Sequence, residues 1–309
     1  MVNGIPTTKK RKSVFRAYYR RVFGKSPADK IFNWINYSLF VVFAFIMLYP
    51  FLYVVKISLQ TQQLVNGVPI TVYNFGAYAV VLRNKKILTS FLLTVLIVVV
   101  HTSLHIALTF MSAYPLSKKH FRGRTQLLMF ILITMLFSGG LIPSYILITN
   151  VLKWQDNLLV YIIPGVLSGF NIIVVKNFLQ TIPESLEESA KLDGANDFII
   201  LFKIYLPLSM PILATIALWA GVGKWNNWMT GILYISKTSL LPIQNILRDL
   251  LITASSTDAG GHGGDKELMA LADNIKMATV VIGTLPIVLV YPFVQKYFTK
   301  GVLLGSVKG

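Results

Sequence analysis

Residues 87–116 read ILTSFLLTVLIVVVHTSLHIALTFMSAYPL, thirty positions without one Asp, Glu, Lys or Arg. A helix needs about 20 residues to cross the roughly 30 Å hydrocarbon core of a bilayer. No polar–apolar alternation runs through the stretch, so it does not read as a barrel strand. In lipid every backbone N–H and C=O must be paired internally, and a helix does that within one segment. Five other segments share this character: Ile31–Val55, Thr125–Leu152, Asn157–Val175, Ile204–Ile235 and Met277–Tyr297. The expectation is an all-α membrane protein of six transmembrane helices.

Composition points the same way. Of 309 residues, 54% are hydrophobic and only 13% charged, with a mean hydropathy of +0.63. Soluble domains carry roughly 25% charged residues. The net charge of +17 does not imply nucleic acid, because the bases sit between apolar runs as topology signals. The absence of cysteine excludes disulfides and cysteine-bound metals. The basic N-terminus lacks the apolar core and cleavage site of a signal peptide.

Lys9, Lys10, Arg11, Lys12, Arg16, Arg20, Arg21 and Lys25 precede the first span. Lys118, Lys119, Arg122 and Arg124 separate the second from the third, and Lys300 and Lys308 follow the sixth. By the positive-inside rule these share the cytoplasmic side, so both termini are expected there. Arg83, Lys85 and Lys86 fall on the outer side and are a partial exception. The domain reading is a basic cytoplasmic segment over 1–30, a transmembrane body over 31–299 and a cytoplasmic tail over 300–309. In the first of these, SVFRAYYRRVFGK (13–25) has the spacing of an amphipathic helix on an anionic leaflet, or of a plain basic anchor. An outer loop is expected over about 237–274, with TASSTDAGGHGGDKE (253–267) as its flexible part.

Several chemistries lack their residues. No phosphate-binding G-x-x-x-x-G-K-[ST] loop occurs; GVGKW at Gly221 misses both the first glycine and the hydroxyl residue. His101 and His105 share a helix face four residues apart, but no acid lies in that span to complete a metal site. They read as packing or helix–helix hydrogen-bonding residues. The spans are nearly free of the acids that ion-coupled transporters use, and Lys224 is the one charge well inside an apolar run. It reads either as lining a watery cavity or as snorkelling outward. No catalytic residue and no metal site is assigned.

Against this background EESAKLDGANDFIILFKIYLPLSMP, Glu187 to Pro211, is an acidic island. Glu184, Glu187, Glu188, Asp193 and Asp197 are five of the chain's 12 acids. Pro183 suits the first turn of a helix, and the acids after it suit the positive end of the helix dipole. Gly194 is placed to end that helix in a left-handed turn. A second helix, Asn196 to Tyr205, presents Phe198, Ile199 and Phe202 before Pro207 and Pro211 turn the chain back into the membrane. The physics supports a two-helix cytoplasmic elbow over about 183–205, as a docking device or as a plain amphipathic connector.

The same residues carry a resemblance. Glu188-Ser189-Ala190, Gly194 after three residues, then Ile204 and Leu206-Pro207 are similar to the EAA signature of binding-protein-dependent ABC importer permeases, with Ser189 where alanine is usual. GGLIPSYILITNVL, NLLVYIIPG, WNNW and KGVLLGSVKG resemble the carbohydrate type, both the smaller maltose permease and the Gram-positive lipoprotein-associated sugar permeases. The resemblance implies a type I importer permease (MetI-like) fold with cytoplasmic coupling helices. It implies no cofactor on this chain, with ATP and Mg on a partner ATPase dimer. The other implied partners are a second, homologous permease, an extracellular or periplasmic sugar-binding protein and the lipid bilayer, with no nucleic acid. It places the chain in a bacterial cell membrane.

The implied ATPase-coupling residues are Glu187, Glu188, Ser189, Ala190, Asp193, Gly194, Ala195, Phe198, Phe202, Leu206 and Pro207. Trp225, Asn226, Asn227 and Trp228, with Tyr145 and Asn150, combine aromatic faces with fixed polar groups and are the candidates for the sugar pathway. An interfacial aromatic belt is the other reading of the tryptophans. An ATP-independent transporter or channel is the alternative function, and a membrane enzyme a third.

Overall fold

A computed structural model describes residues 27–65, 68–259 and 266–305 of the chain. The expected amphipathic helix at 13–25 and the end of the tail lie outside the described residues. The chain divides into two units, Met1–Ile57 and Ser58–Gly309. The described part of the first is α1, Pro27–Leu59, which runs on across the boundary and is long and apolar enough to cross a membrane.

In the second unit a short antiparallel hairpin, β1 Gln60–Val65 and β2 Val68–Tyr73, leads into α2, Gly76–Arg83. The central helix is α3, Lys85–Ser117. Asn84 starts it by accepting the N–H groups of Lys86 and Ile87. Its last carbonyls find side chains as well: Arg124 Nε donates to Leu116 and Gln180 Nε2 to Ser117. Then follow α4 (Arg124–Leu136), α5 (Leu141–Ile146) with a π turn at Leu147–Val151, α6 (Leu159–Ile162), α7 (Gly169–Leu179) and α8 (Glu184–Leu192). The chain continues through α9 (Asp197–Ile200), a π turn at Leu201–Tyr205, α10 (Leu206–Leu208), α11 (Met210–Trp225) and α12 (Met229–Tyr234). A 3-10 turn at Thr238–Leu240, α13 (Ile243–Ala259) and α14 (Lys266–Gly305) complete it.

Among the described residues, three helices are long and apolar enough to span: α1, α3 and the Asp273–Phe293 part of α14. Two more spans count only if bent pairs are taken as one, α4 with α5 (105°) and α9–α10 with α11 (76°). Among the described residues, several of the six expected spans are therefore bent or broken rather than single straight helices. The third breaks at Ser138–Gly140, just before Pro143. The fourth, expected over Asn157–Val175, is one helical turn, an irregular Pro164–Ser168 segment and the 11-residue α7. The fifth bends at Ser209 and breaks again at Asn226.

The expected outer loop is also more structured than its composition suggests. Thr253–Ala259 belongs to α13, and Lys266 already opens α14. Ile243, Ile246, Leu247 and Leu250 recur at helical spacing, and that face is what holds α13 in place. It packs with Ala77, Val81, Ile87, Trp225 and Ala278. The Ile243 N–H donates to Thr94 Oγ1 (2.9 Å), fixing the start of α13 to α3.

A second apolar cluster lies at the other end of α3, where Phe110, Ala113 and Leu116 meet Ile172, Val175, Leu179, Ile200, Tyr205 and Ile216. A third joins Ile97, Ile148, Val160, Tyr161 and Tyr234. Close packing makes α12 intolerant of bulk. A Cβ on Gly231 would stand 2.5 Å from Asn245 Oδ1, and that amide is buried and tied to the Trp228 carbonyl. Gly231→Ala is expected to cost about 1–3 kcal/mol by overpacking, read as a lower thermal midpoint of the solubilised protein. An unchanged midpoint would show that α12 yields freely.

Candidate functional site

The acidic island folds as the two-helix elbow. Pro183 stands just before α8 rather than in its first turn. Glu184 and Glu187 follow in the first turn, where the exposed N–H groups favour negative charge. The helix ends at Gly194, whose φ of +81° a side chain would resist. Gly194 N–H donates to Lys191 (3.0 Å) and Ala195 N–H to Ala190 (2.9 Å), so two terminal carbonyls are satisfied within the turn. Asn196 then starts α9 by accepting Ile199 N–H at 2.9 Å.

The eleven candidate coupling residues divide between two sides of this elbow. Glu188, Ser189, Asp193, Gly194, Phe198, Phe202 and Pro207 are exposed. Ala190, Ala195 and Leu206 are partly buried against the apolar cluster at the end of α3. Glu187 also turns inward, its side chain 13% exposed. It receives Lys118 Nζ, Tyr205 Oη (2.9 Å) and Lys191 Nζ (2.8 Å). Burial pushes its carboxyl up, but those three donors outweigh burial and hold it at about 2. Sequence reasoning missed Lys118 and Tyr205 as partners, because a lysine after a span reads as a topology charge alone.

The sugar candidates differ in exposure and in what their side chains touch. Trp225 is 5% exposed, edge-on to Phe91, and its indole N–H is spent on the Gly283 carbonyl at 2.9 Å. Its ring and its N–H are both engaged in packing between α3, α11 and α14. Asn227 caps α12 by accepting Thr230 N–H. Asn226 and Trp228 stay exposed at the turn between α11 and α12, and the Arg248 guanidinium lies 4.9 Å from the Trp228 ring. Tyr145 stacks on Tyr234 of α12 (5.7 Å), and Asn150 is exposed. Nearby, Asp156 Oδ1 accepts Ser236 and Lys237 N–H; the Lys237 and then the Ser236 bond holds its carboxyl below the usual range.

The broken fourth segment draws donors from its neighbours. His101, at the midpoint of α3, donates from Nδ1 to the Ile162 carbonyl (2.7 Å). His105, one turn on, donates to Val166 (2.8 Å), and its Nε2 accepts the Asn171 amide. Lys224 Nζ donates to Tyr161 (2.8 Å) and Pro164 (2.9 Å). The histidines are thus the helix–helix hydrogen-bonding residues expected, and Lys224 does not snorkel. Gly165, at φ +78°, supplies the left-handed turn inside the break.

The model of the binding-protein-dependent transport system inner membrane component matches residues 17–304. The chain belongs to that family. This permease is 40% identical over 291 residues, covering 91% of it and 99% of the relative, to the polygalacturonan/rhamnogalacturonan transport system permease protein YtcP of Bacillus subtilis (strain 168). It is 38% identical to Protein LplC of the same organism, over 92% and 97% of the two chains. Among solved structures it resembles a chain of a bacterial ABC transporter involved in the import of the acidic polysaccharide alginate. The TM-score there is 0.76 at 32% identity, over 89% of this chain and 99% of that one. The permease fold expected from the EAA resemblance is therefore the fold of this chain.

Lys224→Met keeps the side-chain length and strands two carbonyls. It is expected to cost about 2 kcal/mol or more, read as a lower thermal midpoint in detergent. A variant as stable as the parent would show that water or lipid headgroups replace the ammonium.

Proposed function

We propose that this permease is the membrane subunit of an ATP-driven importer of acidic oligosaccharides, fragments of uronate-rich polymers. The reading rests on the relatives. Polygalacturonan and alginate are both polymers of carboxylated sugars, and proteins named for their transport or import match nearly the whole chain. Arg83, Lys85 and Lys86, the outer-side exception to the positive-inside pattern, and Arg248 over Trp228 suit an anionic solute. Trp228, Asn226, Tyr145 and Asn150 remain the candidates for the sugar pathway.

In this proposal both termini are cytoplasmic and the elbow faces the cytoplasm. A second, homologous permease completes the pathway, an ATPase dimer binds ATP and Mg, and an outer binding protein delivers the sugar. The elbow is the coupling surface. Phe198, Phe202 and Leu192 are exposed apolar side chains (69%, 48% and 89%) of the same elbow that carries Glu188 and Asp193. Exposed apolar side chains bounded by charge suit a protein groove better than water. Closure of the ATPase dimer would draw two such elbows together and rock the spans between inward and outward access.

Two experiments test this. In vesicles holding the whole complex, binding protein loaded with oligogalacturonate should stimulate ATP hydrolysis severalfold more than the same protein offered maltotriose. Equal stimulation would remove the acidic assignment, and uptake without ATP would remove the ATPase. Separately, Gly194→Asp places a side chain at φ +81° in the turn between the coupling helices. The variant should still reach the membrane but retain less ATPase on purification or hydrolyse ATP without transport. Normal assembly and transport in that variant would dismiss the elbow as the coupling surface.

A further inference from the structure

Two neighbouring acids of the elbow have opposite surroundings. Glu188 is exposed, while Glu187 is enclosed by residues from three separate parts of the chain. Lys118 is the first residue beyond α3, Glu187 sits in α8, and Tyr205 closes the π turn at the return toward the membrane. Lys118 Nζ donates to Glu187 Oε2 and to Tyr205 Oη (2.7 Å), and Tyr205 Oη donates to the same Oε2 (2.9 Å). The triangle is closed. Lys191 fills Oε1 from one turn further along α8. The ammonium of Lys118 also lies 3.9 Å from the Tyr205 ring centroid and 4.6 Å from that of Tyr114, and the two rings meet edge-on at 5.1 Å.

Enclosed ion pairs are a poor way to gain stability, since desolvation offsets most of their attraction. They do fix geometry, because the donors and acceptor must keep both direction and distance. An apolar contact at this place would let α8 slide; a closed charge-assisted triangle does not. By contrast, the Glu184 pair with Lys119 is open at 3.7 Å, with both side chains largely exposed.

We propose that Glu187 is a positioning residue rather than an ATPase contact: with Lys118 and Tyr205 it joins the coupling helix to the end of α3 and to the re-entry turn, so that elbow displacement moves those helices as one piece. The inference rests on the coupling reading above. Glu188 then serves the partner outside, and Glu187 carries the displacement inward. Removing the triangle should leave the ATPase attached while motion is transmitted poorly.

The test uses the complete complex in vesicles, with an environment-sensitive fluorophore on Thr238→Cys, the sole cysteine of this otherwise cysteine-free chain. Two quantities are read: ATPase retained per permease, and fluorescence change on adding Mg-ATP. Glu187→Gln and Tyr205→Phe should each lower the ATP response about fivefold, the low end of usual coupling between sites, with ATPase retained as in the parent. Glu188→Gln should instead lose ATPase. Glu187→Gln combined with Lys118→Gln should be no worse than the more damaged single variant, because all three substitutions break one unit. Loss of ATPase in Glu187→Gln, matching Glu188→Gln, would make Glu187 a direct contact and overturn the proposal. A full ATP response in Tyr205→Phe would overturn it too, and that variant decides the matter if Glu187→Gln does not accumulate. No ATP response in the parent complex, with ATPase bound, would overturn the coupling reading itself.

Discussion

A broken helix at membrane depth leaves carbonyl groups with no partner, and lipid offers none. Residues 161–166 present that problem, and the rest of the second unit is arranged around its solution. Donors come from both neighbours: His101 and His105 from α3, Lys224 from α11. Each one ties an irregular backbone to a regular helix at a single distance and direction. The apolar clusters at either end of α3 can then close around a fixed frame. Irregular backbone within a membrane protein is tolerated where protein or a watery cavity surrounds it, and such places line pathways in transporters.

The elbow solves the related problem of leaving and re-entering the membrane. Its two helices are capped at the turn by Gly194 and Asn196, so the corner consumes its own hydrogen bonds and needs nothing from outside. One side of it packs on the cluster at the end of α3 through Ala190, Ala195 and Leu206, and the other presents Phe198, Phe202 and Glu188. Ala190 and Ala195 among the inward residues let the backbones approach closely there. Large apolar and acidic ones face outward because a partner groove, in the proposed assembly, completes them.

Much of this was legible in the order of residues. Long uncharged runs require helices in lipid whatever their neighbours, so the membrane class and the approximate segments follow from chemistry alone. The elbow was legible for the same local reason: Pro183, the acids, Gly194 and Asn196 act within a turn of themselves. The EAA spacing then identified the family over nearly the whole chain. Hydropathy, however, is blind to backbone direction. Ser138–Gly140 and Pro164-Gly165 interrupt runs whose apolar character continues unbroken, so the third and fourth segments read as whole spans and fold as bent or broken ones, whereas the bend at Ser209 lies between Pro207 and Pro211, which mark it in the sequence. Thr253–Ala259 misled in the opposite sense, because polar composition hid the apolar face of α13 that begins at Ile243.

Residue roles divided along the same line. The amino-acid order alone settled the helical membrane class, the elbow and its left-handed corner, since each depends on interactions within a few residues. Only the tertiary fold decided that Trp225 is packing, that Lys224 and the two histidines serve a broken neighbour, and that Glu187 and Glu188 point opposite ways. Those outcomes hinge on which carbonyl, ring or ammonium arrives from 58 to 69 residues away. Hydrogen bonds are directional and short, so no local pattern encodes their distant partner.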